Sequence, residues 1–552
     1  MKADLTRNTF HPFKHFTRVL MQQGRVQLDA DWNEQAAILA TYLRELGADI
    51  IGPCGGPSDN LGFAPFVLSP DPANPAPFDF GISAGHFYVD GILCENSHDY
   101  AAFVLPTPLA NNSITFTPDR PELDGTLIQV GDFLELFDAT ATFNPLPAIV
   151  TKVSVGAITV TVNTTSLSKW GSNAQPRVRR LITYAHQPDN PMSKSDLGGQ
   201  QATVTLLAYL DVWERLITCV EDDSIREVAL GGPDTAARAK LVAQVKWTTP
   251  PAGAATDQRL KDVVTFLNNR FQPRNRGLLK ARVTPTAAST DPCIISPDSN
   301  YRGPENQLYR VEIHTGTLNA DGTSGTQPPT FTWSRENGSP VFPILLGGGT
   351  NVVTLETLGR DDRFGLAEGD WVEVEDDDYV LQNRAGTLLQ VVGIDRTTMQ
   401  VTLSGSPDPN VGNKPEKHPL LRRWDQQEGD ETTGGLQLGA DNAALIKVGT
   451  WLNLEDGVQV LFFDPDPNNP QQYRSGDYWL IPARVATGNV EWPTVQTKDA
   501  QGNPVNDQVP LPPLGITHHY APLATISVDP KGPVTVSGAP PSFDHSVNPI
   551  WP

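Results

Sequence analysis

An internal repeat is the sequence feature that most constrains the fold of this chain. Residues 131–136 read GDFLEL, and residues 369–374 read GDWVEV, 238 positions later. Each copy is followed by an acidic, turn-rich stretch and then by two β-branched runs that are separated by a short turn, at residues 148–162 and 388–403. Paired runs of this kind predict a β-hairpin. The repeat therefore predicts two similar small antiparallel barrels or sandwiches, one around each copy.

The remainder of the chain also favours strands and turns over helices. Glycine and proline number 46 and 49 among 552 residues, an above-average share that interrupts long helices. Apolar residues alternate at 204–212 and at 309–313, as they do in half-buried strands. A third, weaker copy of the repeat starts at residue 449. We therefore expect a mainly β, multidomain chain of small antiparallel barrel or sandwich modules, with a few short helices.

Two segments have helical periodicity. The first spans residues 31–47, where Asp31 is positioned to cap the helix start and Gly47 to end it. Its apolar residues recur at steps of four and three, which places them on one helix face: Trp32, Ala36, Leu39, Leu43 and Leu46. The second predicted helix spans residues 256–271 and has one apolar side.

The last 60 residues, 493–552, contain 12 prolines. Proline has no backbone N–H and is excluded from helix interiors and from the centre of sheets. This stretch therefore predicts an extended, proline-rich arm, anchored by its longest apolar part at residues 517–528. We hypothesise that Tyr520, Leu523 and Ile526 in this part contact a neighbouring subunit.

These features divide the chain into seven consecutive segments. The predicted segments are an N-terminal segment with the first helix (1–60), a β-rich connector (61–118), a first small barrel (119–180), a central β-rich domain with the second helix (181–355), a second small barrel (356–415), a third β-rich module (416–492) and the proline-rich arm (493–552). Most of the chain is thus expected to form independent β-rich modules.

The charge balance excludes two classes of partner. Lysine and arginine number 41 and aspartate and glutamate 63, so the formal net charge is −22. An acidic chain does not suit binding to nucleic acid or to anionic lipid. The N-terminus has no apolar signal region, and no apolar run reaches membrane-spanning length. We expect cytoplasmic synthesis without a Sec signal, no direct membrane insertion, and four dispersed cysteines that remain free thiols.

No sequence motif specifies a catalytic site, a cofactor or a metal. The HExxH, GxSxG and GxxxxGK[ST] patterns are absent. A few short patterns admit a site, but a structural interpretation is favoured for each of them: the glycines at 347–349, the proline-stiffened turn at 464–469, the acidic run at 376–378, the carboxylates at 221–223, and the neighbours His518 and His519. We predict no enzyme activity, no catalytic residue, no cofactor and no metal.

Three segments carry a resemblance to a known family. They are TRNTFHPFKHFTRVLMQQGRVQLDADWNEQ (6–35), YLDVWERLITCVEDDSIREVALGGPDTAARAKLVAQVKW (209–247) and FTWSRENGSPV (331–341). They resemble an uncharacterised bacterial family whose genes recur in clusters for extracellular contractile injection systems, which are phage-tail-like particles. The resemblance runs from residue 1 to at least residue 493. It implies a structural or accessory part of such a particle, such as a baseplate-associated shell or extension, a cap or a fibre, and it transfers no activity.

The N-terminal segment has two interpretations. Lys14, Arg18 and Arg25 are interspersed with apolar residues before the helix of Trp32. The segment forms either a hairpin and helix packed on its own chain or a docking element on the particle. In the second case Arg18, Arg25 and Trp32 are candidate contacts, and the partners are other copies of this chain and other particle proteins. The alternative function is a carbohydrate-binding or carbohydrate-cleaving surface protein, which eleven tryptophans would suit.

Overall fold

The computed structural model of the chain is mainly β and antiparallel, as predicted. It describes residues 1–68, 79–96, 98–106, 109, 112–140, 146–171, 173–191, 196–199, 202–251, 260–272, 276–284, 300–319, 322–359, 365–498, 502–530 and 534–543. The α-helices in these ranges are α1 (Asp29–Ile51), α2 (Thr164–Leu167), α3 (Leu260–Phe271) and α4 (Asp377–Leu381). Single 3-10 turns lie at Pro12–Lys14, Asp196–Gly199, Asp223–Ile225, Val228–Leu230, Pro415–Lys417 and Glu431–Thr433.

The strands are short and are distributed along the whole described chain. The first group is β1 (Cys54–Pro57), β2 (Pro65–Val67), β3 (Phe80–Ile82), β4 (Gly85–Val89), β5 (Ile92–Asn96), β6 (Tyr100–Ala102), β7 (Ser113–Phe116), β8 (Glu122–Leu123), β9 (Thr126–Leu127), β10 (Phe133–Asp138), β11 (Leu146–Ser154), β12 (Ala157–Val162) and β13 (Pro176–Arg180). The second is β14 (Ile182–Thr183), β15 (His186–Gln187), β16 (Asn190–Pro191), β17 (Val204–Ile217), β18 (Arg238–Thr248), β19 (Leu278–Val283), β20 (Gln307–Ile313), β21 (Thr330–Ser334), β22 (Val341–Leu346), β23 (Val352–Leu355), β24 (Trp371–Glu375) and β25 (Thr387–Asp395). The third is β26 (Gln400–Leu403), β27 (Leu420–Trp424), β28 (Ala444–Leu445), β29 (Leu452–Asn453), β30 (Val458–Phe463), β31 (Tyr478–Arg484), β32 (Asn489–Val490), β33 (Thr494–Lys498), β34 (Pro504–Gln508), β35 (His519–Val528), β36 (Thr535–Ser537) and β37 (Ser542–Phe543).

The chain forms two compact units, and each combines stretches that are distant in sequence. Unit 1 consists of Met1–Thr41, Trp213–Lys240 and Asn269–Thr517, and unit 2 consists of Tyr42–Val212, Leu241–Asn268 and His518–Pro552. Unit 1 contains the five-stranded sheet β28-β21-β20-β31-β32 and a closed six-stranded barrel. Unit 2 contains a six-stranded sheet, and a four-stranded sheet of order β18-β17-β35-β36. The seven consecutive segments expected from the sequence do not describe this interleaving.

The two copies of the repeat have the same strand order. In the closed barrel of unit 1 the order is β22-β23-β26-β25-β24-β27, and in the six-stranded sheet of unit 2 it is β6-β13-β10-β11-β12-β7. In both, the strand that contains most of the repeat (β10 or β24) pairs on one side with the first strand of the following hairpin (β11 or β25). On its other side it pairs with the strand that follows that hairpin in the chain (β13 or β27). The prediction of two related modules is confirmed, although only the second copy closes into a barrel.

The correspondence extends to individual hydrogen bonds. Gly131 and Gly369 have φ angles of 96° and 94°, and their N–H groups donate over 2.8 Å to the carbonyls of Val150 and Val391. Each first hairpin strand also shifts register just after that valine. Phe133 and Trp371 are both half-buried at equivalent strand positions. The glycine is required because the left-handed backbone strains residues with a Cβ.

The third copy is only a hairpin. Gly449 also has a positive φ of 76°, and its N–H donates to the carbonyl of Phe462. The following strands β29 and β30, however, join β19 in a three-stranded sheet of order β19-β30-β29. The third copy thus shares the glycine turn but not the six-strand order of the other two.

Helix α1 is longer than predicted, and the prediction that Gly47 ends it is wrong. The helix continues to Ile51 and ends at Gly52, whose φ is 93° and whose N–H donates to the carbonyl of Ala48. Gly47 has a different role, because a Cβ at this position would lie 3.0 Å from the Cα of Gly91. Because Gly47 has no side chain, the backbone at Gly91, between β4 and β5, packs closely against α1. For α3, the predicted start at residue 256 lies outside the described residues, and its end at Phe271 is confirmed.

The prediction of an extended C-terminal arm is wrong over the described part of residues 493–552. Strands β33 and β34 form a hairpin, and β35 is a central strand between β17 and β36. The prolines do not prevent this, because Pro522 lies beside a register shift in the pairing of β35 with β17. Bulges of this kind are where sheets accept proline. Residues 544–552 lie outside the described residues.

Candidate interaction surface

The N-terminal loop, residues 10–28, is a long excursion closed at its base. Thr6 donates through its N–H and its hydroxyl to the two carboxylate oxygens of Asp29, over 2.9 and 2.6 Å. The hydroxyl of Thr9 donates to Glu34 over 2.6 Å, and the N–H of Val19 donates to Gln35 over 2.8 Å. These bonds tie the residues just before the loop, and Val19 in its middle, to the start of α1. Carboxylates at a helix start are also stabilised by the helix dipole.

The loop exposes large apolar side chains. They share relative exposures between 42% and 82%: Phe13, Phe16, Leu20, Met21, Val26 and Leu28. Isolated exposed apolar residues are ordinary on protein surfaces, but a contiguous set marks an interaction site. The predicted interpretation of a hairpin packed on its own chain does not describe this loop.

Helix α1 adds an exposed apolar face. Ala30 and Ile38 are its buried side chains, whereas the stripe that the sequence predicts points to solvent. The exposed large residues have relative exposures between 50% and 74%: Trp32, Leu39, Tyr42, Leu43, Leu46 and Ile50. The periodicity is correct, but this face is not the one that packs within the chain. We call the N-terminal loop and α1 together, residues 10–51, the N-terminal surface.

The cations of the loop are exposed, and the Lys14 ammonium lies over a side chain of the same loop, 5.9 Å from the ring centroid of Phe16. Arg18 and Arg25, like Lys14, are exposed, and the two arginines form no ion pair with the part of the chain that the structure describes. Residues 5–28 contain four basic residues and no acidic residue. Three of the predicted contacts, Arg18, Arg25 and Trp32, are therefore available to a partner.

The other three predicted contacts are not available, so that hypothesis is wrong. Tyr520, Leu523 and Ile526 lie on β35 and are at most 2% exposed. Leu523 and Ile526 belong to a hydrophobic core of unit 2, and the ring of Tyr520 packs edge-on against Tyr209 at 6.0 Å between centroids. The apolar content that suggested an anchor serves the chain's own core.

A buried ionic cluster in unit 1 was not predicted. The Lys2 ammonium lies 3.0 Å from Glu312 and 3.4 Å from Glu375, and 5.1 Å from the ring centroid of Trp424. Arg422 donates through Nε to Glu375 over 3.0 Å, and Trp424 donates to Glu373 over 2.7 Å. The only sequence signal was the alternating GDWVEV strand, whose valines face the barrel core while its glutamates face this cluster.

The pKa values of the two neighbouring carboxyls of the cluster are shifted in opposite directions. Burial, and next the charge of Glu375, raise the pKa of Glu373 to about 8. Burial also acts on Glu375, but Arg422 and Lys2 outweigh it and lower the pKa of that carboxyl to about 2. Ionising two adjacent buried carboxyls costs free energy because their negative charges repel each other, so one of them keeps its proton. The cluster therefore acts as a structural connection between β20, β24, β27 and the N-terminus.

Replacing Glu373 with glutamine is expected to flatten the dependence of stability on pH. The pKa of Glu373 is 4.5 when unperturbed and is raised in the folded state, so its contribution is complete below pH 4.5 and is lost as the pH rises through about 8. The free energy of unfolding of wild type relative to Glu373→Gln should fall by about 4 kcal/mol between pH 5 and pH 8.5. Urea titrations at each pH measure this difference. Glu428→Gln, at an exposed position, should run parallel to wild type, whereas parallel curves for Glu373→Gln would contradict the assignment.

The short patterns considered for chemistry have structural roles. Asp376 caps α4 by accepting from the N–H groups of Asp378 and Tyr379. Asp377 pairs with Arg215 at 3.0 Å and with His418 at 2.8 Å, and Asp378 pairs with Lys417. The acidic run is therefore neutralised by protein cations rather than available to a metal.

The histidine pair, the glycines at 347–349 and the turn at 464–469 also have structural roles. His518 pairs with the buried Asp211 at 2.6 Å, and His519 with Asp90 at 2.8 Å. Gly348 accommodates the carbonyl of Gly412, which a Cβ would overlap, and residues 464–469 form successive Asx turns. Within the described ranges, no group of three or more metal-ligating side chains is found. Cys54, Cys94 and Cys219 are free thiols, and Cys293 lies outside the described residues.

The fold and the surface define a mainly β protein of two interleaved units, with two related six-strand modules and an exposed N-terminal surface. The chain belongs to a family of unknown function, DUF6519, whose profile matches residues 1–126, 180–284 and 274–533. The matched ranges include the N-terminal surface and the closed barrel but leave out residues 127–179, which hold most of the first module. Comparison with curated proteins found no match, and comparison with solved structures found none either.

Proposed function

We propose that this protein is a structural or accessory subunit of a phage-tail-like contractile injection particle and that it acts through contacts with other proteins. The N-terminal surface carries this proposal. It concentrates exposed apolar side chains and unpaired cations in one segment, which is the composition of a protein–protein contact and not of a solvated surface. No catalytic activity, cofactor or metal is part of the proposal.

The resemblance in residues 6–35 supports the same conclusion, because this matching motif coincides with the N-terminal loop and the start of α1. A baseplate-associated shell or extension is the position we favour. The protein would be made in the cytoplasm and incorporated into the particle, with other copies and other particle proteins as partners. No helix among the described residues is long and apolar enough to cross a membrane.

The carbohydrate-binding alternative lacks a specific supporting observation. A sugar platform needs several exposed aromatic rings on one face. Of the tryptophans in the described ranges only Trp32 is exposed, and eight of the twelve large apolar side chains exposed on the N-terminal surface are not aromatic. Trp333, Trp424 and Trp479 are fully buried.

Co-sedimentation with assembled particles tests the proposal. The protein is produced together with the neighbouring genes of its cluster, and particles are collected by sedimentation. The variant Phe13→Ser/Phe16→Ser should keep the wild-type unfolding midpoint but should be at least about 10-fold depleted from the particles, because losing 1.4 kcal/mol or more at an apolar contact weakens binding tenfold.

The matched control is Val155→Ser/Val228→Ser, which removes two apolar side chains that are also highly exposed but lie far from the N-terminal surface in sequence. This control should sediment with particles as wild type does. Equal incorporation of the phenylalanine variant, or absence of the wild-type protein from particles, would refute the proposal.

A further inference from the structure

We infer that the N-terminal surface pairs with the same surface of a second copy of this chain, so that the loop of each copy lies against α1 of the other. The inference rests on the proposed function as a subunit and names the partner at that contact. A two-fold pairing of this kind requires a patch that is complementary to itself. Charge, apolar content and spacing each meet this requirement.

The charges divide between the two halves of the surface. Residues 5–28 contain Arg7, Lys14, Arg18 and Arg25 and no acidic residue. Helix α1 contains five acidic residues and a single basic one, Arg44, and its Glu45 and Asp49 are exposed. Residues 5–28 therefore carry a charge of +4, of which +3 lies in the loop itself, and α1 carries −4. Two copies related by a two-fold axis place each positive loop near a negative helix twice, once in each direction.

The apolar side chains are concentrated in the same segment. The structure describes 32 large apolar side chains as exposed, and 12 of them lie in residues 10–51. All of the exposed phenylalanine, tryptophan and isoleucine residues are in this group. These are the residues whose burial yields the largest hydrophobic stabilisation. A second copy would cover the two sets at once.

The stripe on α1 has the spacing of a paired helix. Its positions follow one another at steps of 4, 3, 4, 3 and 4: Trp32, Ala36, Leu39, Leu43, Leu46 and Ile50. This average of about 3.5 residues keeps one face toward a neighbouring element. In a coiled coil, the e and g positions lie on either side of the apolar stripe. Asp49 is the only charged residue at these positions of α1, so repulsion between like charges does not keep a neighbouring element away from the stripe.

A lipid surface fits less well. A basic, aromatic loop alone would suit anionic lipid, but the exposed apolar face of α1 is accompanied by the acidic residues that lipid headgroups repel. The same acidic residues complement the loop of a second copy. Lipid binding is therefore an outcome that the test must be able to report.

A charge-swap experiment tests the pairing. Loop variant A carries Lys14→Glu, Arg18→Glu and Arg25→Glu, and helix variant B carries Glu45→Lys and Asp49→Lys. Light scattering on full-length protein should show a dimer for wild type and at least a 10-fold weaker dimer for A or B alone. An equimolar mixture of A and B should recover the dimer, because both loop–helix contacts then join opposite charges. A wild-type monomer up to about 50 μM, a range in which subunit contacts should already be populated, or a mixture that stays monomeric with both variants folded, overturns the inference.

Two further measurements keep the inference separate from protein misfolding and from the proposed function. The wild-type dimer should weaken between 50 and 500 mM NaCl because salt screens exposed charges, and a dimer that is unchanged or tighter would contradict the pairing of charges. If the wild-type protein binds vesicles that contain 30% phosphatidylglycerol and variant A does not, the N-terminal surface binds lipid and the inference is overturned. A monomer that still enters particles refutes only the pairing, whereas a dimer that is absent from particles refutes only the proposed function.

Discussion

Replacing Ile526 with aspartate is expected to unfold unit 2. Ile526 is 0% exposed and lies on β35. This strand lies between β17 and β36 in its sheet and pairs with β17 over nine positions. A carboxylate at this position would be buried without a partner, which costs more than about 4 kcal/mol and adds to the lost apolar packing. We expect loss of the cooperative unfolding transition of this unit, or insoluble protein, measured by circular dichroism and urea titration.

The control for this prediction is Val505→Asp on the β33–β34 hairpin, where the side chain is 40% exposed. This change should alter the free energy of unfolding by no more than about 0.5 kcal/mol. Ending the chain after Ile516 should have the same effect as Ile526→Asp, because it removes β35 altogether. A truncated protein that is soluble and retains both transitions would show that β35 is dispensable and that the strand pairing is wrong.

Replacing Lys2 with methionine is expected to destabilise unit 1 by about 3 kcal/mol. The substitution keeps most of the side-chain volume but removes the cation that lies between Glu312 and Glu375. Both carboxylates are almost fully buried, and removing one partner from a buried ionic cluster leaves uncompensated charge. The free energy of unfolding at pH 7, from urea titration, measures the loss.

Lys14→Met is the matched control, because it makes the same substitution at an exposed position of the loop; it should change stability by less than about 0.5 kcal/mol. Adding Glu312→Gln to Lys2→Met should restore part of the loss, since it removes a buried carboxylate that would otherwise be left with Arg310 as its cation. If Lys2→Met unfolds like Lys14→Met, the ammonium is solvated and does not belong to the cluster.

The sequence predicted the elements whose pattern is local. The repeat specified two related modules, and its glycines, Gly131 and Gly369, have the positive φ that the turn requires. The α1 periodicity was also correct. What periodicity cannot determine is which partner an apolar stripe faces, so the stripe of Trp32 was placed correctly on one face but is exposed rather than packed against its own chain.

The errors arose where long-range pairing outweighs local composition. Proline content suggested that residues 493–552 could not contribute a central strand, yet β17, some 300 residues earlier, accepts β35 with Pro522 at an irregular position. The ionic cluster was invisible for the same reason. Lys2 lies more than 300 residues before Glu312 and Glu375, and 63 acidic residues give the sequence no means of selecting these two.

The interleaving of the two units has a consequence for synthesis on the ribosome. Unit 1 needs contacts between Lys2 and Glu375, and unit 2 needs β17 to pair with β35, which ends at Val528. Neither half can finish folding while most of the chain is still being translated, and closing such long loops is slow. The nascent chain therefore holds unpaired strands for most of its elongation, so chaperones would have to protect it. Translation products that stop before β35 would therefore lack a strand of unit 2 and would expose the edge of β17 that β35 covers in the full chain.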